Sequence, residues 1–217
     1  DGFSDVLTLP YKIQDTYSQP VEGEVYINNG NGTFQNEPMT KYRFDKNLDW
    51  VYVVDLDGDG VDDIIPYETH LNTDNTVTVR FGMCLMKNGN FVNNKVFRYD
   101  GCLSLMPGNF INKDDYGIVA INMKGSGDVK TADYIYYENG AFVKKTINNC
   151  KGVIGNNISN IAVDMSGDGL SELLSLNDDG YGIYRLKNDG GFYMELFGTG
   201  NSMTNKIYPF PNDYNGD

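Results

Sequence analysis

A turn motif that recurs about every 50 residues constrains the fold of this chain more than any other feature. Each copy has a β-rich run, a turn of Gly and Asn and then a phenylalanine, at Phe34, Phe91, Phe142 and Phe192. Asn-Gly between two alternating runs predicts a β-hairpin, because both central residues of a type I′ turn need positive φ. Since a fixed period is typical of repeat architectures, the sequence predicts four units with one hairpin each.

A second recurring motif is acidic and rich in glycine. It reads DLDGDGVDD at residues 55–63 and DMSGDGLSE at residues 164–172. The chain ends on the first half of another copy, DYNGD at 213–217, and begins on the second half, DGFSD at 1–5. A degraded copy at 109–117 has Lys113 in place of an acid and Gly117 at its ninth position. Because of these departures we expect this last copy to bind no metal.

The segments around the first acidic loop consist of β-formers. They are Trp50–Val54 and Ile64–Tyr67 on either side of the loop, then Val77–Met86 and Phe91–Tyr99 on either side of the next turn. Four short strands in a unit of about 50 residues are the size of one propeller blade. The composition agrees, with 25 Gly, 16 Tyr and 11 Phe.

We therefore predict an all-β fold, a β-propeller of about four four-stranded blades. The units are expected to form one repeat domain with approximate boundaries 1–50, 51–105, 106–160 and 161–217, because no Pro/Gly/Ser-rich linker separates them. If residues 1–5 complete the loop begun at 213–217, the ring closes within the chain. The alternative is that the chain is part of a longer array and a larger propeller, which we favour.

The charge of the chain limits the classes of partner that it is expected to bind. With 17 Lys and Arg against 30 Asp and Glu, the net charge is −13, which argues against a nucleic-acid partner and favours cations. No apolar run reaches the ~20 residues of a membrane-spanning helix, so we expect no membrane insertion. Three cysteines, Cys84, Cys102 and Cys150, are too few for a disulfide scaffold. They are expected to be free thiols, or one disulfide and a single thiol.

The acidic loops predict a Ca²⁺ site. The four carboxylates at the first, third, fifth and ninth positions of the first loop repel one another, and a hard cation that takes six to eight oxygens at about 2.3–2.6 Å relieves that repulsion. The flanks are β-formers and Pro66 stands where an EF-hand needs its bidentate acid, which excludes the helical alternative. The predicted ligands are Asp55, Asp57, Asp59, Val61 (by its carbonyl) and Asp63 in the first loop; Asp164, Ser166, Asp168, Leu170 and Glu172 in the second; and Asp213, Asn215, Asp217, Asp1 and Asp5 in the split copy.

No catalytic constellation is evident in the sequence. His70 lies in a polar stretch that we interpret as a loop between strands, and no nucleophile motif accompanies it. Two carboxylates from different blades could still act on a glycosidic bond, since such a pair leaves no local signature.

The loop DLDGDGVDD between strands, followed by an Asn-Gly-x-Phe hairpin, resembles the FG-GAP/VCBS repeat of integrin α-like propellers. The resemblance implies a calcium-binding β-propeller in a secreted or cell-surface protein. Adhesins, lectins, polysaccharide lyases and the shells of Rhs and toxin-complex proteins carry such blades.

From this resemblance we expect a non-enzymatic extracellular binding or scaffold module, part of a larger polypeptide, that presents a face to a protein or glycan. The alternative is a carbohydrate-active enzyme, a lyase or hydrolase, or a lectin built on the same propeller.

Overall fold

A computed structural model of the chain describes residues 4–9, 20–45, 48–113, 116–123, 129–148, 157–177, 180–188 and 190–199. All regular elements within these ranges are β-strands, which confirms the all-β class. The strands are β1 (Val6–Thr8), β2 (Val21–Tyr26), β3 (Thr40–Phe44), β4 (Leu48–Val54), β5 (Asp63–Leu71), β6 (Val77–Lys87), β7 (Asn90–Asp100), β8 (Cys102–Gly108), β9 (Gly117–Met123), β10 (Val129–Glu138), β11 (Ala141–Thr146), β12 (Asn157–Val163), β13 (Glu172–Asn177), β14 (Gly180–Leu186) and β15 (Phe192–Thr199).

The strands form four sheets in which successive strands of the chain pair in order. Three of the sheets are four-stranded: β4 to β7, β8 to β11 and β12 to β15. The first, β1 to β3, has three strands among the described residues. Repeated antiparallel sheets of this size fit a β-propeller-like fold. Closure of a ring and the number of blades stay predictions.

The sheets begin slightly earlier than the unit boundaries expected from the sequence. Their first strands start at Leu48, Cys102 and Asn157, a few residues before 51, 106 and 161. The assignment of one repeat domain stays a prediction. By its contacts the chain divides into two compact units, residues 1–55 with 59–98 and residues 56–58 with 99–217.

The first unit has its core between its two sheets. Phe44 of β3 packs with Ile64 of β5 and Cys84 of β6, and all three are buried. The Tyr42 hydroxyl lies 3.2 Å from the Cys84 sulfur, and burial raises the pKa of this thiol. Cys84 is a free thiol, which both alternatives expected from the sequence allow. Cys150 and the side chain of Cys102 lie outside the described residues.

The second unit has one core shared by two sheets. Phe110 and Tyr134, from the sheet of β8 to β11, pack with Tyr184 and Phe192 from the sheet of β12 to β15. A Cβ added to Gly108 would lie 2.6 Å from the Ser171 hydroxyl, so the two sheets approach closely there. This contact of neighbouring sheets is the packing that blades of one propeller use.

Two of the four predicted hairpins are confirmed by their backbone angles. Asn88 and Gly89 between β6 and β7 have φ of 52° and 76°, and Asn139 and Gly140 between β10 and β11 have 50° and 83°. Both pairs thus adopt the positive φ that a type I′ turn requires. The loop interpretation of His70 was wrong, because β5 continues through it to Leu71. Among the described residues no helix is long and apolar enough to cross a bilayer.

Candidate metal centre

The acidic loops occupy equivalent places in the fold. Residues 55–62 join β4 to β5, and residues 164–171 join β12 to β13, so each loop connects the first two strands of its sheet. Their backbones also agree: φ is 74° and 83° at Gly58 and Gly60, and 74° and 83° at Gly167 and Gly169. Residues with a side chain rarely adopt such angles, which explains why glycine recurs at these two positions. The degraded copy at 109–117 lies at the same place, between β8 and β9.

Asp55 closes the first loop from its first position. Its Oδ1 accepts a hydrogen bond from the Asp59 amide at 3.2 Å, and its Oδ2 accepts one from the Gly60 amide at 2.9 Å. Asp59 in turn accepts a hydrogen bond from the Val61 amide at 2.9 Å through Oδ1. These bonds bend the loop back on its own start, so that carboxylates from successive positions converge.

Three carboxylates meet inside this loop. Asp55, Asp57 and Asp59 each bring one oxygen within 4.8 Å of the others. Asp63 is not in that group: it is fully buried, and its Oδ1 accepts a hydrogen bond from the Met86 amide at 2.6 Å. The Lys87 ammonium lies 2.6 Å from Asp59 Oδ2 and holds the pKa of that carboxyl below its usual range.

The donor set of the first loop fits a hard divalent cation. Ca²⁺ in proteins takes carboxylate and carbonyl oxygens, and the convergence of three carboxylates offers these at short mutual distances. Asp55, Asp57 and Asp59 would hold the ion. The carbonyl of Val61 and the carboxylate of Asp63 stay predicted ligands.

The second loop has a similar set of internal hydrogen bonds. Asp164 Oδ1 accepts from the Gly167 amide at 2.8 Å and Oδ2 from the Gly169 amide at 2.7 Å. Asp168 Oδ1 accepts from the Leu170 amide at 2.9 Å. Asp164, Asp168 and Glu172 again bring oxygens within 4.8 Å of one another.

An arginine lies among the carboxylates of the second loop. Arg185 of β14 donates from Nη1 to Asp168 Oδ2 at 2.6 Å, and from Nη2 to the Ser166 hydroxyl at 3.1 Å and to Glu172 Oε1. Its Nε lies 3.0 Å from Glu195 Oε1. The guanidinium holds the pKa of Asp168 below its usual range. Because a cation of the chain already contacts three of the five predicted ligands, this arrangement does not fit a divalent ion.

Arg185 was missed in the sequence because it lies outside the acidic motif. A signal was nevertheless present. Arg185 stands two residues before Lys187 in its turn motif, and Leu85 stands two residues before Lys87 in the corresponding one. An alignment of the repeats shows this difference: one copy has a charged residue where the other has an apolar one.

The other predicted ligands are only partly described. Asp1, Asp213, Asn215 and Asp217 lie outside the described residues, so the split site stays a prediction. Asp5 is described, and its Oδ1 accepts a hydrogen bond from the Asn28 amide at 2.9 Å.

Two further features of the first unit bear on binding. Asp45, Glu68 and His70 bring ligand atoms within 4.8 Å of one another, and Glu68 pairs with Arg80 at 3.0 Å. A separate cavity of about 500 Å³ has Asp5 and Asp62 in its wall beside apolar residues. The cavity wall also includes Gly60 and Val61, so it adjoins the first acidic loop.

A comparison with known protein families agrees with the resemblance seen in the sequence. The family model of the FG-GAP-like repeat matches residues 1–65. Residues 1–65 of the chain are therefore similar to an FG-GAP-like repeat. The matched segment contains strands β1 to β4 and the whole first acidic loop, which places this loop within the FG-GAP-like repeat. Among curated proteins none matches the chain.

Proposed function

We propose that this protein is a non-enzymatic, extracellular module of the FG-GAP type that binds Ca²⁺ in the loop of residues 55–63 and presents a face to a protein or glycan partner. The observation that carries the proposal is the convergence of Asp55, Asp57 and Asp59 between the first two strands of a sheet. FG-GAP repeats are typically non-catalytic and occur mostly in extracellular proteins, which supports the non-enzymatic role and the extracellular location. We propose further that the module belongs to a larger surface polypeptide.

Calcium has a structural task in this proposal. The loop concentrates negative charge in a chain whose net charge is already −13, and an ion bound only by the folded state stabilises that state by mass action. At a free concentration of about 100 times the Kd the gain is about 2.7 kcal/mol. Ca²⁺ therefore fixes the connection between β4 and β5, and with it the surface that the first unit presents.

The test is calcium titration of the whole chain by calorimetry, with thermal melting in Ca²⁺ and in EGTA. Asp57→Asn removes one carboxylate of the converging group and is expected to weaken binding at this loop and to abolish its share of the calcium-dependent rise in Tm. Asp49→Asn is the matched control, because it removes the same charge from an exposed position of β4. An unchanged calcium response in Asp57→Asn would refute the site.

A second candidate function rests on the cavity beside this loop. Its wall combines two exposed carboxylates, Asp5 and Asp62, with apolar side chains such as Met39 and Phe91, a mixture suited to a sugar. Binding on a glycan array without turnover of a polysaccharide panel would indicate a lectin. Cleavage that Asp62→Asn abolishes would indicate the carbohydrate-active enzyme instead.

A further inference from the structure

The strand register places Arg185 at a position that is apolar in the first four-stranded sheet. After the first acidic loop, Ile64 pairs with Cys84, and after the second, the equivalent Leu173 pairs with Tyr184. The next residue along β6 is Leu85, which is buried, and the next along β14 is Arg185. The sheet of β12 to β15 thus has an arginine beside its acidic loop, where the sheet of β4 to β7 has a buried leucine.

Arg185 directs both Nη nitrogens of its guanidinium at that loop, and its Nε lies beside a further carboxylate. Nη1 contacts Asp168, Nη2 contacts Ser166 and Glu172, and Nε faces Glu195. A planar guanidinium suits several oxygen acceptors in fixed directions, and its charge persists throughout the physiological pH range. In the first loop the basic side chain is a lysine instead: the Lys87 ammonium lies 2.6 Å from Asp59 Oδ2.

The composition of the second loop agrees with this contact. Its third position is Ser166, where the first loop has Asp57, so its predicted ligand positions have one carboxylate fewer to neutralise. A divalent ion at the centre of the loop would need the oxygens of Asp168 and Glu172 that Arg185 holds. Two cations cannot share these oxygens without strong repulsion, because at such distances the Coulomb energy between like charges is large.

We propose that Arg185 takes the place of the metal ion in the loop of residues 164–172, so that this loop is closed without Ca²⁺. The calcium response of the described chain is then confined to the loop of residues 55–63. Only this second statement rests on the proposed function. The closure of the second loop by Arg185, here called the bracing, is independent of it.

Hydrogen–deuterium exchange of the intact chain, followed by mass spectrometry of peptides, tests each loop separately. The amides of Gly167, Gly169 and Leu170 report on the second loop, because they donate to its carboxylates. In the wild type we expect Ca²⁺ to slow exchange across 55–63 and to leave 164–172 unchanged. Protection of 164–172 by Ca²⁺ in the wild type would overturn the proposal.

Arg185→Leu copies the residue that the first sheet has at the equivalent position. We expect it to speed exchange across 164–172 in EGTA. With Ser166→Asp added, Ca²⁺ at about ten times its Kd should restore protection about tenfold. Arg98→Leu, at an exposed position of β7, is the matched control and should leave 164–172 unchanged. Arg185→Lys keeps the charge but loses the planar guanidinium. It should give an exchange rate across 164–172 between those of the wild type and Arg185→Leu.

The outcomes separate the two hypotheses. If neither loop responds to Ca²⁺ in the wild type, the proposed function fails, while faster exchange across 164–172 in Arg185→Leu still supports the bracing. If Arg185→Leu leaves exchange across 164–172 as in the wild type, the bracing is refuted, whatever the first loop does. Protection of β13 in the same experiment shows whether the variant has kept its fold.

Discussion

At the scale of single residues, the buried carboxylate of Asp133 organises a small polar group in the second unit. It accepts hydrogen bonds from the Tyr99 hydroxyl at 2.8 Å and from the Thr146 hydroxyl at 3.0 Å, and the Lys144 ammonium lies 3.5 Å away. Burial, and then the bond to Asp133, raise the pKa of Tyr99 above its ordinary value. Tyr99 therefore keeps its proton in the folded chain under conditions in which an unfolded tyrosine ionises.

This raised pKa predicts a loss of stability in alkali. Because the folded-state pKa of Tyr99 exceeds the unfolded value of about 10, its contribution is complete below about pH 10 and is lost as the pH rises through the folded pKa. Tyr99→Phe should lower the free energy of unfolding by about 1.5–3 kcal/mol near neutral pH, through loss of the hydrogen bond to a charged acceptor. It should also lessen the alkaline decline in the free energy of unfolding.

Urea denaturation at a series of pH values measures both effects. Tyr137→Phe, a half-buried tyrosine of β10, is the control and should keep the alkaline decline of the wild type. Should Tyr99→Phe lose stability in alkali as steeply as the wild type, another group must cause the decline.

At the scale of elements, the tight turns are where local sequence decides structure. Gly140 has φ of 83°, and nothing lies within 4 Å of the place a Cβ would take. Gly140→Ala therefore strains only the backbone, and we expect it to lower the free energy of unfolding by about 1–2 kcal/mol. Thermal or urea unfolding measures this change.

A matched glycine shows whether backbone strain is the cause. Gly82 of β6 has no positive φ, and an added Cβ would come no closer than 3.4 Å to Pro66. Gly82→Ala should thus be neutral or slightly stabilising, because it restricts the unfolded chain. Equal losses in the two variants would contradict the strain account of the turn.

The same elements show how far the sequence predicts the fold. The Asn-Gly turns were predictable because their positive φ depends on the two residues themselves. His70 was misplaced because polar residues occur on strands as well as in loops, and here it pairs across the sheet with Thr78. The contact of Arg185 with the second loop was not predicted, because it depends on the cross-strand register between β13 and β14, which the spacing of the loop motif does not contain.

At the scale of the whole molecule, two kinds of electrostatic effect act on stability. The net charge of −13 produces a general repulsion that acts over long distances and that any salt screens. The proposed Ca²⁺ site acts only where Asp55, Asp57 and Asp59 converge. The two effects are separable because the Debye length falls from about 30 Å at about 0.01 M salt to about 10 Å at about 0.1 M.

The melting temperature should therefore rise in two independent steps. In EGTA, raising NaCl over that range should raise the Tm of the wild type by screening the general repulsion. Adding Ca²⁺ at the higher NaCl concentration should raise it again, since a bound ion in direct contact with carboxylates is screened little. Mg²⁺ at the same concentration should raise the Tm less, because it resists exchanging its waters for an all-protein cage.

The variant Asp57→Asn should keep the rise in Tm with NaCl and lose the rise with Ca²⁺ that comes from the first loop. If the calcium step vanishes in the wild type at high NaCl, or if Mg²⁺ reproduces it, then Ca²⁺ acts by screening alone and the site in the first loop is not a calcium site.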